Sequence, residues 1–305
     1  MQRALVVLLR WLKGQNYRFT TVTPETHARL LARQPNAIAK DLRDVFGWSL
    51  TFEPALIDSR VLAELQSADL IEPNGARLRS RVRISTLRDR LFAHSAYPTN
   101  SDDAVFFGPD SHRFIDFVAA DLERDPVRGA LLDIGAGSGV GAILTAGLMR
   151  PQRVVLTDVN LTALTFARAN AELAGVQIEG VHTGDARTVG GDFDLIIANP
   201  PFIEDADRLT YRHGGGQLGA QAALDWTSQA LDKLVRSGRF LLYSGSAIVG
   251  GHDALKAGLE AIVAGRPFTL AYRELDPDIF GEQLSEPTYA GVERIAAIGA
   301  RIDRL

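Results

Sequence analysis

The sequence predicts an α/β protein: a doubly wound, seven-stranded, mostly parallel sheet preceded by a smaller helical domain. Three observations carry that expectation. From about residue 110 onward, short apolar runs alternate with helical stretches, the pattern of parallel strands joined by crossover helices. One such run, 130–134, passes directly into glycines at 135, 137 and 139. Residues 1–92, by contrast, carry helical periodicity and end in a hairpin signal.

The elements follow in order. The apolar run 4–9 is broken by Arg10, too short for a signal-peptide core or a membrane span. It is expected as a buried amphipathic helix through Leu12. Thr23-Pro24-Glu25 supplies a cap and a proline at a first helical position, opening a helix over 27–33. Further helices are expected over 36–45 and 54–68. Residues 70–73 and 77–85 then read as two strands across the Asn74-Gly75 turn. Three helices and a hairpin resemble a winged-helix domain. Its third helix offers Asp58, Arg60, Glu64 and Gln66, a poor match to a phosphate-lined groove. Arg77, Arg79, Arg81 and Arg83 alternate with other residues, which places them on one strand face. That face is either solvated, paired with the acidic C-terminal domain, or a contact for RNA or protein.

Residues 93–104 lack periodicity and read as a linker to a second domain over 105–305. There, helices are expected at 110–122, 140–149, 161–174, 220–235 and 253–264. Strands are expected at 130–134, 153–157, 177–182, 193–198, 239–243, 268–273 and 294–300. The last two have no helical crossover between them and should pair antiparallel.

Composition narrows the chemistry. Of 305 residues, 46% are hydrophobic and 23% charged, the balance of an ordinary soluble chain, expected to be cytoplasmic, with no membrane partner. There is no cysteine, so disulfides, cysteine–zinc sites, iron–sulfur clusters and thiolate nucleophiles are excluded, and no metal is expected. Residues 1–99 carry 15 Lys+Arg against 9 Asp+Glu, and the remainder 18 against 28. The net charge of −4 does not announce a nucleic-acid binder.

Asp133-Ile134-Gly135-Ala136-Gly137-Ser138-Gly139 is a strand end running into a glycine-rich turn. The third glycine comes one residue too early for a dinucleotide fingerprint. Asp158 ends the next strand, with Val159 after it, and Asp185-Ala186 follow the third. Each acid alone is an ordinary surface or capping aspartate, but three at consecutive strand ends are hard to explain as caps. The fourth strand ends in Asn199-Pro200-Pro201-Phe202. The two prolines stiffen this turn and leave its carbonyls as acceptors, flanked by an amide and an aromatic ring.

This set resembles the class I S-adenosylmethionine (SAM)-dependent methyltransferases that act on nitrogen, closest to the HemK-type glutamine methyltransferases and the related "small" domains that modify ribosomal RNA bases. The resemblance covers about residues 100–305 and implies a Rossmann-like methyltransferase fold with SAM as cofactor. It implies that Asp133, Gly135, Gly137 and Gly139 cradle SAM's methionine end, that Asp158 and Val159 take the ribose side, and that Asp185 and Ala186 take the adenine. Phe107, in Phe106-Phe107-Gly108-Pro109, stands where that family packs an upstream segment on SAM, without the arginine common in the glutamine enzymes. Asn199 and Pro200 would accept hydrogens from the substrate nitrogen, and Phe202 would stack on its planar carrier. Asn199 would also border the cofactor.

The acceptor stays open: a small amine, a protein side chain or an RNA base. The acidic connection at 274–293, with Phe280 and Tyr289, favours a small molecule or protein, while the basic strand argues for RNA. The glycines of 211–219 suggest a mobile lid, in which His213 is a minor acid–base candidate. A second reading has the same amine grip act on SAM's own aminobutyrate arm, releasing methylthioadenosine. A third is a nucleic-acid-binding winged helix with a vestigial SAM fold.

Overall fold

The computed structural model describes residues 1–99, 101–204 and 211–305; Asn100, inside the expected linker, lies outside them. In chain order the elements begin with α1 (Gln2–Gly14), α2 (Pro24–Arg33), α3 (Leu42–Phe46) and α4 (Ser59–Ser67). Next come β1 (Ile71–Asn74), β2 (Arg77–Ser80), β3 (Val82–Leu87), β4 (Arg90–Ser95) and α5 (Pro109–Arg124). There follow β5 (Ala130–Ile134), α6 (Val140–Met149), β6 (Arg153–Asp158), α7 (Leu161–Ala174), β7 (Glu179–His182) and β8 (Phe193–Ala198). The chain closes with α8 (Gln221–Lys233), β9 (Leu234–Val249), β10 (His252–Asp253), α9 (Ala254–Val263), β11 (Phe268–Asp276) and β12 (Arg294–Arg304). Two compact units emerge: residues 1–113, 137–143 and 160–177 in one, and 114–136, 144–159 and 178–305 in the other.

In the first unit, α1 buries Leu5, Leu8, Leu9 and Leu12 at helical spacing, against a core that includes Phe46, Phe52, Leu65 and Phe166. The Thr23 hydroxyl accepts from the Thr26 N–H, with Pro24 at the first turn, as the sequence predicts for α2. The helix expected over 36–45 shrinks to α3, because Ala39 N–H donates to Thr51 O and holds that stretch extended, and Asp41 caps the helix only afterwards. The helix expected over 54–68 likewise begins late, at the Asp58 cap, after a single tight turn at Pro54–Leu56.

The strand expected over 77–85 is two strands. Ser80 Oγ donates to Val82 O and accepts from Val82 N–H, a local bond that interrupts the ladder at Arg81. Beyond the break, β3 pairs with β4 rather than with β1, and the phase of the alternation changes. The four arginines therefore share no solvated face. Arg77 pairs with Glu53, Arg81 with Asp69 and Glu72, Arg79 donates to Tyr97 O, and Arg83 is buried.

The second unit holds the sheet, in the order β11-β12-β9-β8-β5-β6-β7, with β10 attached to β9. β9, β8, β5, β6 and β7 run parallel, and β12 is antiparallel to both β9 and β11, as the missing crossover requires. The seven expected strands are all present. The central ones read as unbroken apolar runs because helices cover both faces of such a sheet. Leu132, Ile134, Ile196, Ala198, Phe240 and Leu242 form one continuous buried stripe.

At the amino-terminal side of β9, Arg239 is 5% exposed and bonds Asp121 (2.7 Å), Asp303 (3.0 Å) and Asp125. Arg301 closes the network onto the same three acids. No described helix is long and apolar enough to cross a membrane.

Candidate functional site

Register brings the strand ends together. Ile134 of β5 pairs with Thr157 of β6 on one side and with Ala198 of β8 on the other. The next residues, Gly135, Asp158 and Asn199, thus leave the sheet at one level on three adjacent strands. Asp158 in turn pairs with His182, so the Thr183–Ala186 turn leaves β7 beside it. This is the carboxyl edge of the parallel sheet, where open α/β folds bind ligands.

The backbone there is pinned. Ala136 N–H donates to Thr157 O, and Thr183 N–H to Asp158 O. Asp133 is 2% exposed at the end of β5. Gly135 adopts φ +66°, and a Cβ on it would lie 2.1 Å from the Trp226 ring. A side chain is forbidden there twice over, by conformation and by the indole of α8. Val159 presents an apolar side chain to solvent, while its carbonyl accepts from His182 Nε2. An exposed valine beside a strand-end aspartate suits a flat group with a diol attached.

Asp185 already has partners. It caps a short turn through the Arg187 N–H and holds the Arg187 guanidinium with both oxygens, each at 2.9 Å. The Arg187 hydrogen bond keeps its carboxyl below the usual carboxylate range. The Ala186 N–H donates to Gln229 Oε1. Trp226 and Gln229, one turn apart on α8, are residues that sequence reasoning missed, because nothing local marks them.

Gly137 (φ +54°) and Gly139 (φ +78°) fall in the first unit. The space beside Gly137 is open, with its nearest neighbour 4.0 Å from a hypothetical Cβ, whereas at Gly139 that Cβ would press on Ala167 of α7. The first glycine leaves room for a ligand and the second allows close helix packing. Asn170, buried on α7, donates to Ser138 O and to Ala93 O and accepts from the Ala93 N–H. It is a pin beneath this half of the loop that the sequence did not reveal. Phe107 is 2% exposed, and its ring stacks near His94 and Phe92.

The Asn199–Phe202 turn is the most distinctive part. Asn199 Oδ1 is buried and, among the described residues, has no hydrogen-bond partner. A carbonyl desolvated without compensation costs about 1–3 kcal/mol, so this one is held in place by the prolines and the strand. Pro200 is buried beside it. Phe202 lies over Gly245, where a Cβ would come within 2.4 Å of its ring, and meets Tyr243 and Phe280 edge-on at 6.5 and 5.5 Å. Phe280 sits in the left-handed region (φ +55°), a strained setting for an aromatic residue. The Tyr289 hydroxyl accepts from the Glu204 N–H at 2.7 Å. The acidic connection thus packs onto the turn.

Glycines of 211–219 make close backbone contacts with the turn. Ile203 N–H donates to Arg212 O and Gly214 N–H to Ile203 O, and a Cβ on Gly219 would strike Phe202 O at 2.2 Å. Glu204 also accepts from the Leu218 N–H. The described part of this loop is a brace against the turn. Among the described residues, no cluster of His, Asp and Glu is arranged to hold a metal ion.

Residues 109–245 match the family model described as "Methyltransferase small domain". The release factor glutamine methyltransferase of Deinococcus radiodurans is 28% identical over 190 residues, covering 59% of this chain and 66% of that protein. The ribosomal RNA small subunit methyltransferase C of Serratia proteamaculans is 31% identical over 150 residues, 43% of each chain. The chain therefore spans less than two thirds of either relative. Among solved structures, wild-type Trm5b from Pyrococcus abyssi superimposes with a TM-score of 0.51 at 14% identity, covering 76% of this chain and 62% of that one, a likeness of fold.

Proposed function

We propose, on the premise that this chain belongs to the class I methyltransferases and carries a methyltransferase small domain over residues 109–245, that it transfers a methyl group from SAM to a nitrogen. The acceptor is an amide or amino group on a planar carrier, in a protein side chain or a nucleobase. The observation that carries this reading is the buried, unpartnered Oδ1 of Asn199 at the end of β8.

Asp133, Gly135, Asp158 and Val159 would hold SAM, which when bound supplies an electrophilic methyl. The exposed Val159 fits that cofactor. Asp185 and Ala186 would face adenine only through positions that Arg187 and Gln229 already engage. Asn199 Oδ1 and the Pro200 carbonyl accept the hydrogens of the substrate nitrogen, which turns its lone pair toward the methyl. Preorganised dipoles then stabilise the positive charge that develops on nitrogen. Phe202 stacks on the planar carrier. No general base is needed, because the cationic product sheds its proton afterwards. Residues 1–92 act as the domain that selects the acceptor, joined through 93–104.

Product analysis tests the reading. The full chain is incubated with SAM and, separately, a glutamine-bearing release-factor domain, ribosomal RNA and small amines. S-adenosylhomocysteine that forms only with an acceptor is the expected result. Methylthioadenosine formed with no acceptor would overturn it in favour of transfer of the aminobutyrate arm.

A further inference from the structure

Arg83 is the one residue of the basic strand whose burial no acid explains. It is 4% exposed, and no Asp or Glu among the described residues lies within ion-pair distance. Its Nε donates to Gly47 O at 2.9 Å, its guanidinium rests over the Phe19 ring at 5.6 Å, and its Nη2 has no hydrogen-bond partner. His27 of α2 is fully buried and donates from Nε2 to Trp48 O, the very next carbonyl, at 3.0 Å. The two heads are thus drawn to consecutive peptides of one turn. That turn is tightly built. A Cβ on Gly47 would strike Phe19, and Ser49 is held at φ +55°.

Because a carbonyl accepts from Nε2, Nδ1 carries the lone pair, and it too is buried without a partner. Burial, and then the charge of Arg83, lower the His27 pKa to about 4, so the ring is neutral near pH 7. Tyr97 stacks on that ring at 4.1 Å, 17° from parallel, and Trp48 meets it edge-on at 5.3 Å. Within one compact unit, two side chains anchored on the consecutive carbonyls of Gly47 and Trp48 thus keep a buried cationic donor and a buried neutral acceptor without hydrogen-bond partners among the described residues, beside aromatic rings. Water can satisfy either hydrogen bond, whereas an anion would meet the charge as well.

We propose that Arg83 and His27 form a receptor for a small oxyanion that itself carries a hydrogen-bond donor, hydrogen phosphate or the monoanion of a phosphomonoester. Arg83 Nη2 donates to an anionic oxygen, and the ligand's hydroxyl donates to His27 Nδ1. Sulfate has the charge but no hydroxyl at neutral pH, so it should bind worse.

The test is calorimetric titration of the full chain with inorganic phosphate and with sulfate at pH 7 and matched ionic strength. The expected result is saturable one-to-one binding of phosphate, at least tenfold weaker binding of sulfate, and no change when SAM is present. Arg83→Met abolishes the heat. His27→Phe, which keeps the stack on Tyr97, removes the preference for phosphate and serves as the informative variant should Arg83→Met fail to fold. No saturable heat with the wild-type chain, heat displaced by SAM, or equal affinity for sulfate overturns the proposal.

Discussion

The two ends of the central strands handle buried polar groups in opposite ways. Toward the amino-terminal side, Arg239 is enclosed by Asp121, Asp125 and Asp303, and Arg301 binds the same acids from β12. At the carboxyl edge, Asn199 holds a buried carbonyl oxygen that bonds nothing among the described residues. Both segments lie on neighbouring strands of one sheet, with Arg239 paired to Leu195 and Ala198 to Leu242. A stability device answers its own desolvation cost internally. A device for recognition leaves that cost unanswered so that a substrate can meet it.

The comparison can be broken in four ways. The largest effect expected is from Arg239→Met, which removes the most deeply buried cation from Asp121 and leaves it Arg301 and Arg124; stability should fall by up to about 3 kcal/mol. Thermal unfolding would show it, with turnover per folded molecule little changed. An unaltered melting point would mean that the network contributes nothing. Asn199→Ala should do the reverse, lowering kcat by on the order of 10²–10³-fold while SAM affinity and melting temperature hold. A parallel loss of SAM affinity would reassign Asn199 to the cofactor.

Gly245→Ala puts a methyl group into the Phe202 ring, an overpacking of about 1–3 kcal/mol. Acceptor KM should rise more than stability falls; a purely thermal effect would remove Phe202 from substrate contact. The smallest effect concerns Asp125. The Arg301 hydrogen bond and then the Arg239 charge depress its carboxyl below the ordinary range. A depressed folded value means stability present above the unfolded pKa of about 3.9, lost as pH falls through the folded value. Asp125 is half exposed, so Asp125→Asn should cost less than about 1 kcal/mol at pH 7. The gap from wild type should close in acid, and a gap that persisted there would deny the carboxylate its part.

Much of the carboxyl edge was readable from residue order, because parallel strands joined by helices must end on one side. The strand 193–198 followed by Asn-Pro-Pro-Phe, and 130–134 followed by glycines, locate that edge by local chemistry. The Arg239 network was not readable, since Asp121 and Asp303 stand far from Arg239 in the chain and an arginine in a strand gives no sign of its partners. The arginine alternation at 77–83 misled for a specific reason. A two-residue period holds only while the ladder holds, and the Ser80–Val82 bond interrupts it. The close backbone approach at Gly214 and Gly219 was likewise not readable, because a glycine needed for close approach looks the same in sequence as one needed for motion.

Residue order alone, then, determined the strand–helix alternation, the antiparallel last pair and the acids and prolines at the strand ends, all of which rest on local pattern and on the handedness of crossovers. Tertiary structure decided which polar atoms are answered. Asp185 meets Arg187 locally, but Trp226 over Gly135, Tyr289 on Glu204, the burial of Arg83 and the unanswered Asn199 oxygen arise only when distant segments pack. Desolvation is a property of the packed interior, and no window of sequence contains it.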